Sequence, residues 1–316
     1  MLLFICLNII NIFYKGKSLL KFENLSHSKE ELLGLFRSEC EEIFRNAGSD
    51  NSTIKKINSK VKQITKNLVQ PVVNNTEHTN LERLDKILMI HYCSYIVMIE
   101  FRNRIRPYEY MDFTRRIGEL WEPFCKLCWK YTSESGIAEV IPPSFEEAKL
   151  QLLSKLNAFI ETTSLTAEEK KELNRYLDLM WELVASGEIQ LKCDLHFEKD
   201  GIKYNIDYKS GFNSNEKGNT NRLLMVGSIF KKLNPNYVNI ILVRAEENEN
   251  NHYLQTLKNS NLWDVYCGHE TYDKIEELAG YPLKDWIEHN IDWKNDLDNY
   301  TLDYLAENNL TQYLRW

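Results

Sequence analysis

The sequence predicts an α+β or α/β chain in two parts, divided at residues 165/166: a helical N-terminal half, then a mixed β-sheet core flanked by helices. Three observations predict it. Up to about residue 187 nearly every apolar periodicity has helical spacing. At Gly187 the spacing switches to period two around Asp200-Gly201, a strong short-range hairpin signal. Beyond the hairpin, a polar loop leads into a helical stretch and then the β-branched run "YVNIILVRA".

The elements follow in order. "SKEELLGLFRSECEEIFRNAG" opens with a Ser28–Glu31 capping box and closes at Gly48. "STIKKINSKVKQITKNLV" is a second helix. "NLERLDKILMIHYCSYIVMIEFRNRI" is so apolar that it must be mostly buried, and Pro107 ends it. "MDFTRRIGELWEPFCKLCWKYT" is a fourth helix, followed by a break at "SGIAEVIPPS". Two further helices are expected over 144–163 and 166–186, the second with a Thr166–Glu169 capping box. After the hairpin come a helix from Arg222, the β-branched strand, a helix at "HYLQTLKNSN", a strand at "LWDVYCG" and a helix at "TYDKIEELAG". The tail from Tyr281 is helical and acidic.

Composition narrows the classes. Hydrophobic residues at 43% and charged residues at 27% suit a water-soluble globular chain with a substantial core. The net charge is -7, and residues 1–187 balance 25 basic against 25 acidic groups, so the acid excess belongs to the C-terminal part. Contact with nucleic acid would therefore use local basic patches and not an overall field. Seven scattered cysteines suit a reducing cytoplasm and not a disulfide scaffold. Cys125 and Cys128 form a lone CxxC without the second pair a zinc site would want, and read as core-facing helix residues. The apolar start, "MLLFICLNIINIFYKGK", falls short of the ~20 residues a spanning helix needs and lacks a basic leader. It reads as a strand, a helix or an upstream start extension, and no membrane role is expected. No GxxxxGK[ST], GxGxxG or GxSxG motif occurs.

The hairpin "KCDLHFEKDGIKYNIDYKSGF" carries the chemistry. Asp194 and Asp207 fall on neighbouring strands, and Lys209, two residues on, points to the same face as Asp207. Two carboxylates converging from paired strands can hold a hard divalent cation, and an adjacent ammonium can orient water and stabilise developing charge. Four other [DE]xK triplets, ending at Lys149, Lys170, Lys171 and Lys294, lie in helical or acidic stretches with no strand signal. An ordinary surface hairpin with solvated charges would show the same alternation, with Leu195, Phe197, Ile202, Tyr204, Ile206 and Tyr208 on its other face.

Over roughly 166–245 this arrangement resembles the PD-(D/E)xK nuclease superfamily, which includes most type II restriction endonucleases. The resemblance implies a PD-(D/E)xK-type sheet, with Asp194 and Asp207 as metal-binding acids, Lys209 as the catalytic lysine and the Tyr208 carbonyl as a further ligand. An acid on the preceding helix often supports the metal in this family; Glu182 is the nearest candidate, with Asp178 one turn earlier. Cys193 stands where the family often has proline. Only two of the three usual strands before the crossover helix are clear, "EIQL" being the candidate for the other.

Near that helix start, Lys217, Asn219, Asn221 and Arg222 suit a phosphate, or form a plain hydrophilic loop. Basic stretches around Lys55 and Lys56, and around Arg104 and Arg106, are candidate DNA-backbone contacts or simply solvated helix faces. The expectation is a cytoplasmic, Mg²⁺-dependent endonuclease (Mn²⁺ substituting) that cuts double-stranded DNA, most simply a type II restriction enzyme. It would act as a homodimer joined through the N-terminal half, whose long apolar helices have surface to spare. The alternatives are a repair, recombination or RNA-cutting nuclease, and a catalytically silent helical interaction protein.

Overall fold

The computed structural model describes residues 27–47, 50–131, 136–184 and 190–316, without the side chains of 47, 181–184 and 214. The apolar start and the side chain of Glu182 lie outside this description. Among the described residues are twelve α-helices and one five-stranded sheet, an α+β architecture.

Four helices form a bundle: α1 (Lys29–Ala47), α2 (Asn51–Asn74), α3 (Asn80–Ile105) and α4 (Tyr110–Tyr131). Asp50 caps α2 by accepting from the Thr53 amide, and a Thr79–Glu82 capping box starts α3. Pro107 forces the preceding Arg106 into extended backbone, which ends α3. α3 packs on α1, α2 and α4 at once, so it is buried on most sides. Its apolar surface is thereby consumed inside the monomer. This corrects the expectation that residues 80–105 had surface to spare for a second copy.

The sheet runs in the order β1 (Ala138–Glu139), β2 (Leu195–Lys199), β3 (Ile202–Lys209), β4 (Val238–Val243), β5 (Asp264–Cys267). β2 runs antiparallel to both its neighbours, β1 and β3, while β4 and β5 join in parallel. The Asp200-Gly201 turn has positive φ at both residues (54° and 76°), the geometry that makes Asp-Gly favourable there. The strand that precedes the hairpin in the sheet is not at "EIQL": Gln190 and Leu191 are not in a strand, and residues 188 and 189 lie outside the description. It comes instead from Ala138–Glu139, within the stretch read as a break, and two residues are too few for an alternation signal.

β1 is followed by the helical hairpin α5 (Phe145–Glu161) and α6 (Ala167–Val184). The crossover from β3 to β4 is α7 (Lys217–Leu233), which starts five residues before the expected Arg222. α8 (His252–Lys258) then leads to β5, and α9 (His269–Ala279), α10 (Leu283–Asn290), α11 (Trp293–Asp296) and α12 (Asn299–Glu307) complete the chain's helices. Both sheet faces are covered. Phe197, Ile206, Tyr208, Ile240 and Leu242 join the apolar core of the bundle and tail, whereas Ile241, Val243 and Val265 pack with α7 and α8.

That larger core runs across residue 165, and polar contacts reinforce it. Tyr92 donates to Asp296 at 2.7 Å, and Lys29 pairs with Asp296 at 2.9 Å. Part of the tail's acid excess is thus matched by bundle cations. No helix among the described residues is long and apolar enough to cross a membrane.

Candidate active site

Residues of β2 and β3 pair so that their numbers sum to a constant, Leu195 facing Ile206 and Phe197 facing Tyr204. One step beyond Leu195, Asp194 therefore stands opposite Asp207 at the open end of the hairpin. Asp194 itself precedes the strand, and its Oδ2 accepts the Tyr208 amide at 2.8 Å, continuing the ladder by a side chain. Asp207 is 1% exposed. Its Oδ2 pairs with Arg222 Nη2 at 3.0 Å, and its Oδ1 faces Lys209 Nζ yet receives no well-directed hydrogen bond.

A buried polar chain holds the strand ends. His196 Nε2 accepts the Cys193 amide at 2.8 Å, which leaves Nδ1 as the donor to Asn205 Oδ1 at 2.7 Å. Asn205 passes the chain to Asn239 on β4 at 2.8 Å, and Asn239 donates to the Leu262 carbonyl. Burial lowers the proton affinity of His196, consistent with the neutral tautomer. These residues lie on the same sheet face as Asp207. The chain ties the turn before Asp194 to three strands, which limits how far the two carboxylates can move apart.

The opposite face of β3 rests on α4. Trp121 and Trp129 meet the Tyr208 ring edge-on at 5.5 and 6.2 Å. At Gly118 a β-carbon would collide with the Ser210 side chain, so α4 comes close to the chain just after Lys209. The same helix sends Lys126 towards Asp194 (4.0 Å), with Glu122 paired to Lys126 at 2.6 Å. Burial and the neighbouring Asp207 carboxylate, with Glu122 adding to them, raise the pKa of Asp194 above the usual value for an aspartate.

Asp194, Asp207 and Lys209 open onto a cleft of about 530 Å³. Gln190, Lys192, Asn221, Arg222 and Met225 also line it. Of the four residues expected near a phosphate, Asn221 and Arg222 reach the cleft. Lys217 is exposed at the helix start outside it, and Asn219 bridges Glu216 and Arg222. Arg222 is not a free cation, because Asp207 engages it. Lys55 and Lys56 are exposed on α2, away from the cleft lining. Arg104 is not free to track DNA either: it pairs with Glu41 at 2.7 Å and stacks on Phe44 and Phe101. Arg106 is exposed after α3 and does not line the cleft. Asp178 is exposed on α6. Cys125 and Cys128 are buried free thiols in α4, as core-facing residues should be.

Sequence reasoning missed Glu122, Lys126, Lys192 and the His196–Asn205–Asn239 chain. Glu122 and Lys126 read as a routine i,i+4 helix pair, and nothing in their spacing points to Asp194.

The oxygens fit a hard divalent cation. Among the described residues, one oxygen of Asp207 lacks a directed hydrogen bond, and Asp194 Oδ1 has only Lys126 at 4.0 Å. The Lys209 carbonyl accepts from Arg244 beyond β4, so alternation turns the Tyr208 backbone groups to the Asp194 side. Among the described residues no three His, Cys, Asp or Glu side chains gather as a metal cage. Two carboxylates and a carbonyl, completed by water, nevertheless suit Mg²⁺, which keeps several waters. The chain matches no protein-family model, and no curated protein or solved structure shows detectable similarity to it.

Proposed function

We propose that this protein is a metal-dependent endonuclease of the PD-(D/E)xK type that hydrolyses phosphodiester bonds of double-stranded DNA, in the manner of a type II restriction enzyme. The observation that carries the reading is the opposition of Asp194 and Asp207 across the hairpin, with Lys209 on the Asp207 face and all three opening onto one cleft. Asp194, Asp207 and the Tyr208 carbonyl would hold Mg²⁺, or Mn²⁺ in its place; the chemistry supplied there is neutralisation of phosphate charge and acidification of a water.

The chain's own groups do the rest. Lys209 Nζ lies beside Asp207, where an ammonium can orient the attacking water and stabilise charge developing on the phosphate. Lys192 adds positive charge to the cleft wall beyond the Arg222 that Asp207 already engages, which favours a phosphate backbone over a neutral substrate. Cutting both strands at one site is most simply done by two copies. The exposed apolar side chains Tyr176, Leu179 and Met180 on α6 offer a surface for this that α3 does not.

The test is incubation of the purified protein with plasmid DNA, single-stranded DNA and RNA, in Mg²⁺ or EDTA. Cleavage of duplex DNA that needs Mg²⁺ and disappears in Asp194→Ala, Asp207→Ala and Lys209→Ala supports the proposal. Preference for RNA moves it to the RNA-cutting branch. Calorimetry reads the site without turnover: Mg²⁺ or Mn²⁺ binding lost in Asp207→Ala is expected. A second reading, a catalytically silent domain, is favoured by the double engagement of Asp207 by Lys209 and Arg222. Absence of divalent-ion binding even with DNA present would select it.

A further inference from the structure

Asp207 turns its two oxygens to two different cations. Oδ1 faces Lys209, two residues on along β3, and Oδ2 pairs at 3.0 Å with Arg222 Nη2 from the second turn of α7. A carboxylate that is 1% exposed needs such counter-charge, because an unpaired anion out of water is strongly destabilising. With Asp194 across the hairpin, the cluster is two carboxylates matched by two cations, while Glu122 and Lys126 further out offset one another. Asp194 and Asp207 therefore have little net charge left to offer a divalent ion.

The two cations are not held alike. Lys209 stands on the strand itself and is 15% exposed, whereas Arg222 reaches over from the helix and is 33% exposed. Among the described residues its other contacts are long, Nε to Asn219 Oδ1 at 3.3 Å and Nη1 to the Lys192 carbonyl at 3.5 Å. It lines the cleft beside Gly218, where an added β-carbon would meet nothing within 4 Å, so this side of α7 is open. A guanidinium fork fits a phosphate as well as it fits a carboxylate. Arg222 thus has a second kind of partner to turn to and room in which to turn.

We propose that Arg222 is a switch that makes divalent-ion binding and phosphate binding at this cleft depend on one another. While Arg222 engages Asp207, the carboxylate pair is balanced and its affinity for Mg²⁺ or Mn²⁺ is low. When Arg222 turns to a phosphate of the nucleic-acid backbone, Asp194 and Asp207 keep a net negative charge and their affinity for the ion rises. By linkage, the ion and the phosphate tighten one another by the same factor. The inference rests on the metal-dependent reading of this site and adds to it the order in which the site is filled.

The first measurement is calorimetric titration of the full chain with Mn²⁺ in the absence of DNA. Arg222→Gln, which removes the charge and keeps a polar amide, should bind Mn²⁺ about tenfold more tightly than the parent, the worth of one charge-assisted contact. Arg222→Lys should stay near the parental affinity. Lys217→Gln, the same loss of charge on the same helix but outside the cleft, should change it by less than about twofold. Circular-dichroism melts establish that each variant is folded. The second measurement needs no variant: anisotropy of a fluorescein-labelled duplex with the parent in Ca²⁺ or EDTA, the duplex checked as whole on a denaturing gel. Ca²⁺ should tighten binding by about tenfold in the parent and by about threefold or less in Arg222→Gln. Equal Mn²⁺ affinity in the parent and Arg222→Gln would overturn the switch and leave the metal site standing. Equal tightening by Lys217→Gln, or a parental duplex affinity unmoved by Ca²⁺, would also overturn it. Absence of Mn²⁺ binding from the parent and every variant, with and without DNA, would remove the metal-dependent reading and the switch with it.

Discussion

Among the described residues, Glu100 and Asp207 are the two most deeply buried carboxylates, and they are treated differently. Glu100, in the bundle, is 0% exposed, and both its oxygens are used: Arg37 grips them at 3.0 and 2.5 Å, and the Asp298 amide donates to Oε1 at 2.8 Å. Arg37 also donates to the Asp296 carbonyl, so this ion pair pins the tail to the bundle. Asp207, in the sheet, is 1% exposed and also meets two cations, yet one oxygen lacks a directed hydrogen bond and the group fronts a cleft. Burial raises the pKa of Glu100 even against the pull of Arg37. The difference separates an ion pair whose every oxygen is used in holding the fold from one that fronts a cleft, as the proposed function requires of Asp207. A buried charge kept for stability is fully hydrogen-bonded, whereas an incompletely satisfied one invites a functional explanation.

The sharpest way to break this comparison is to neutralise each acid in turn. Asp207→Asn keeps the shape of the side chain and should lower duplex cleavage by at least about 10³-fold, since charge neutralisation at the phosphate is lost. Its secondary structure by circular dichroism should be unchanged. Should Asp207→Asn cleave like the parent, the site would be no more functional than Glu100.

Glu100→Ala is the converse. Removing one partner of a buried pair strands the other and typically costs about 3 kcal/mol or more. Urea unfolding should show that loss, while Mg²⁺ binding by the folded fraction stays at the parental value. A neutral Glu100→Ala would mean that the tail is held by packing alone.

A half-buried ionisable group in the bundle sharpens the contrast through pH. The pKa of His91 is lowered in the fold to about 4 from a reference of 6.5, with Lys130 on α4 facing it and Lys62 and Lys66 across a groove between α2 and α4. Between those values the unfolded chain binds the proton and the folded chain does not, so stability falls as pH drops from 6.5 towards 4 and then levels off. The loss is at most about 3 kcal/mol. Thermal unfolding across this window should show it, and His91→Gln should flatten the profile between pH 6.5 and 4.

The smallest expected effect concerns the approach of α4 to the sheet. In Gly118→Ala the new methyl meets the Ser210 hydroxyl, which can rotate away, and the Ser210 β-carbon at 3.1 Å, which cannot, so the cost should be about 1–3 kcal/mol. Cleavage should fall by no more than about tenfold. A far larger loss of cleavage at parental stability would show that the α4–Ser210 spacing sets the geometry of Lys209.

Local chemistry settled much of this protein before any packing is considered. The Asp200-Gly201 turn, the alternation that sets Asp207 and Lys209 on one face, the capping boxes at Ser28 and Thr166, and the apolar length of α3 all follow from residues within a few positions of one another. Such patterns are legible because dihedral preference and side-chain periodicity act over one turn or one strand. What only the tertiary structure decided is non-local. It set the two-residue β1 on the edge of the hairpin, aimed Glu122 and Lys126 at Asp194 across some 70 residues of chain, and engaged Arg222 with Asp207. It also opened the groove between α2 and α4. Nothing in a helix's own sequence states which neighbour fills its apolar face, because that depends on how three helices share one surface.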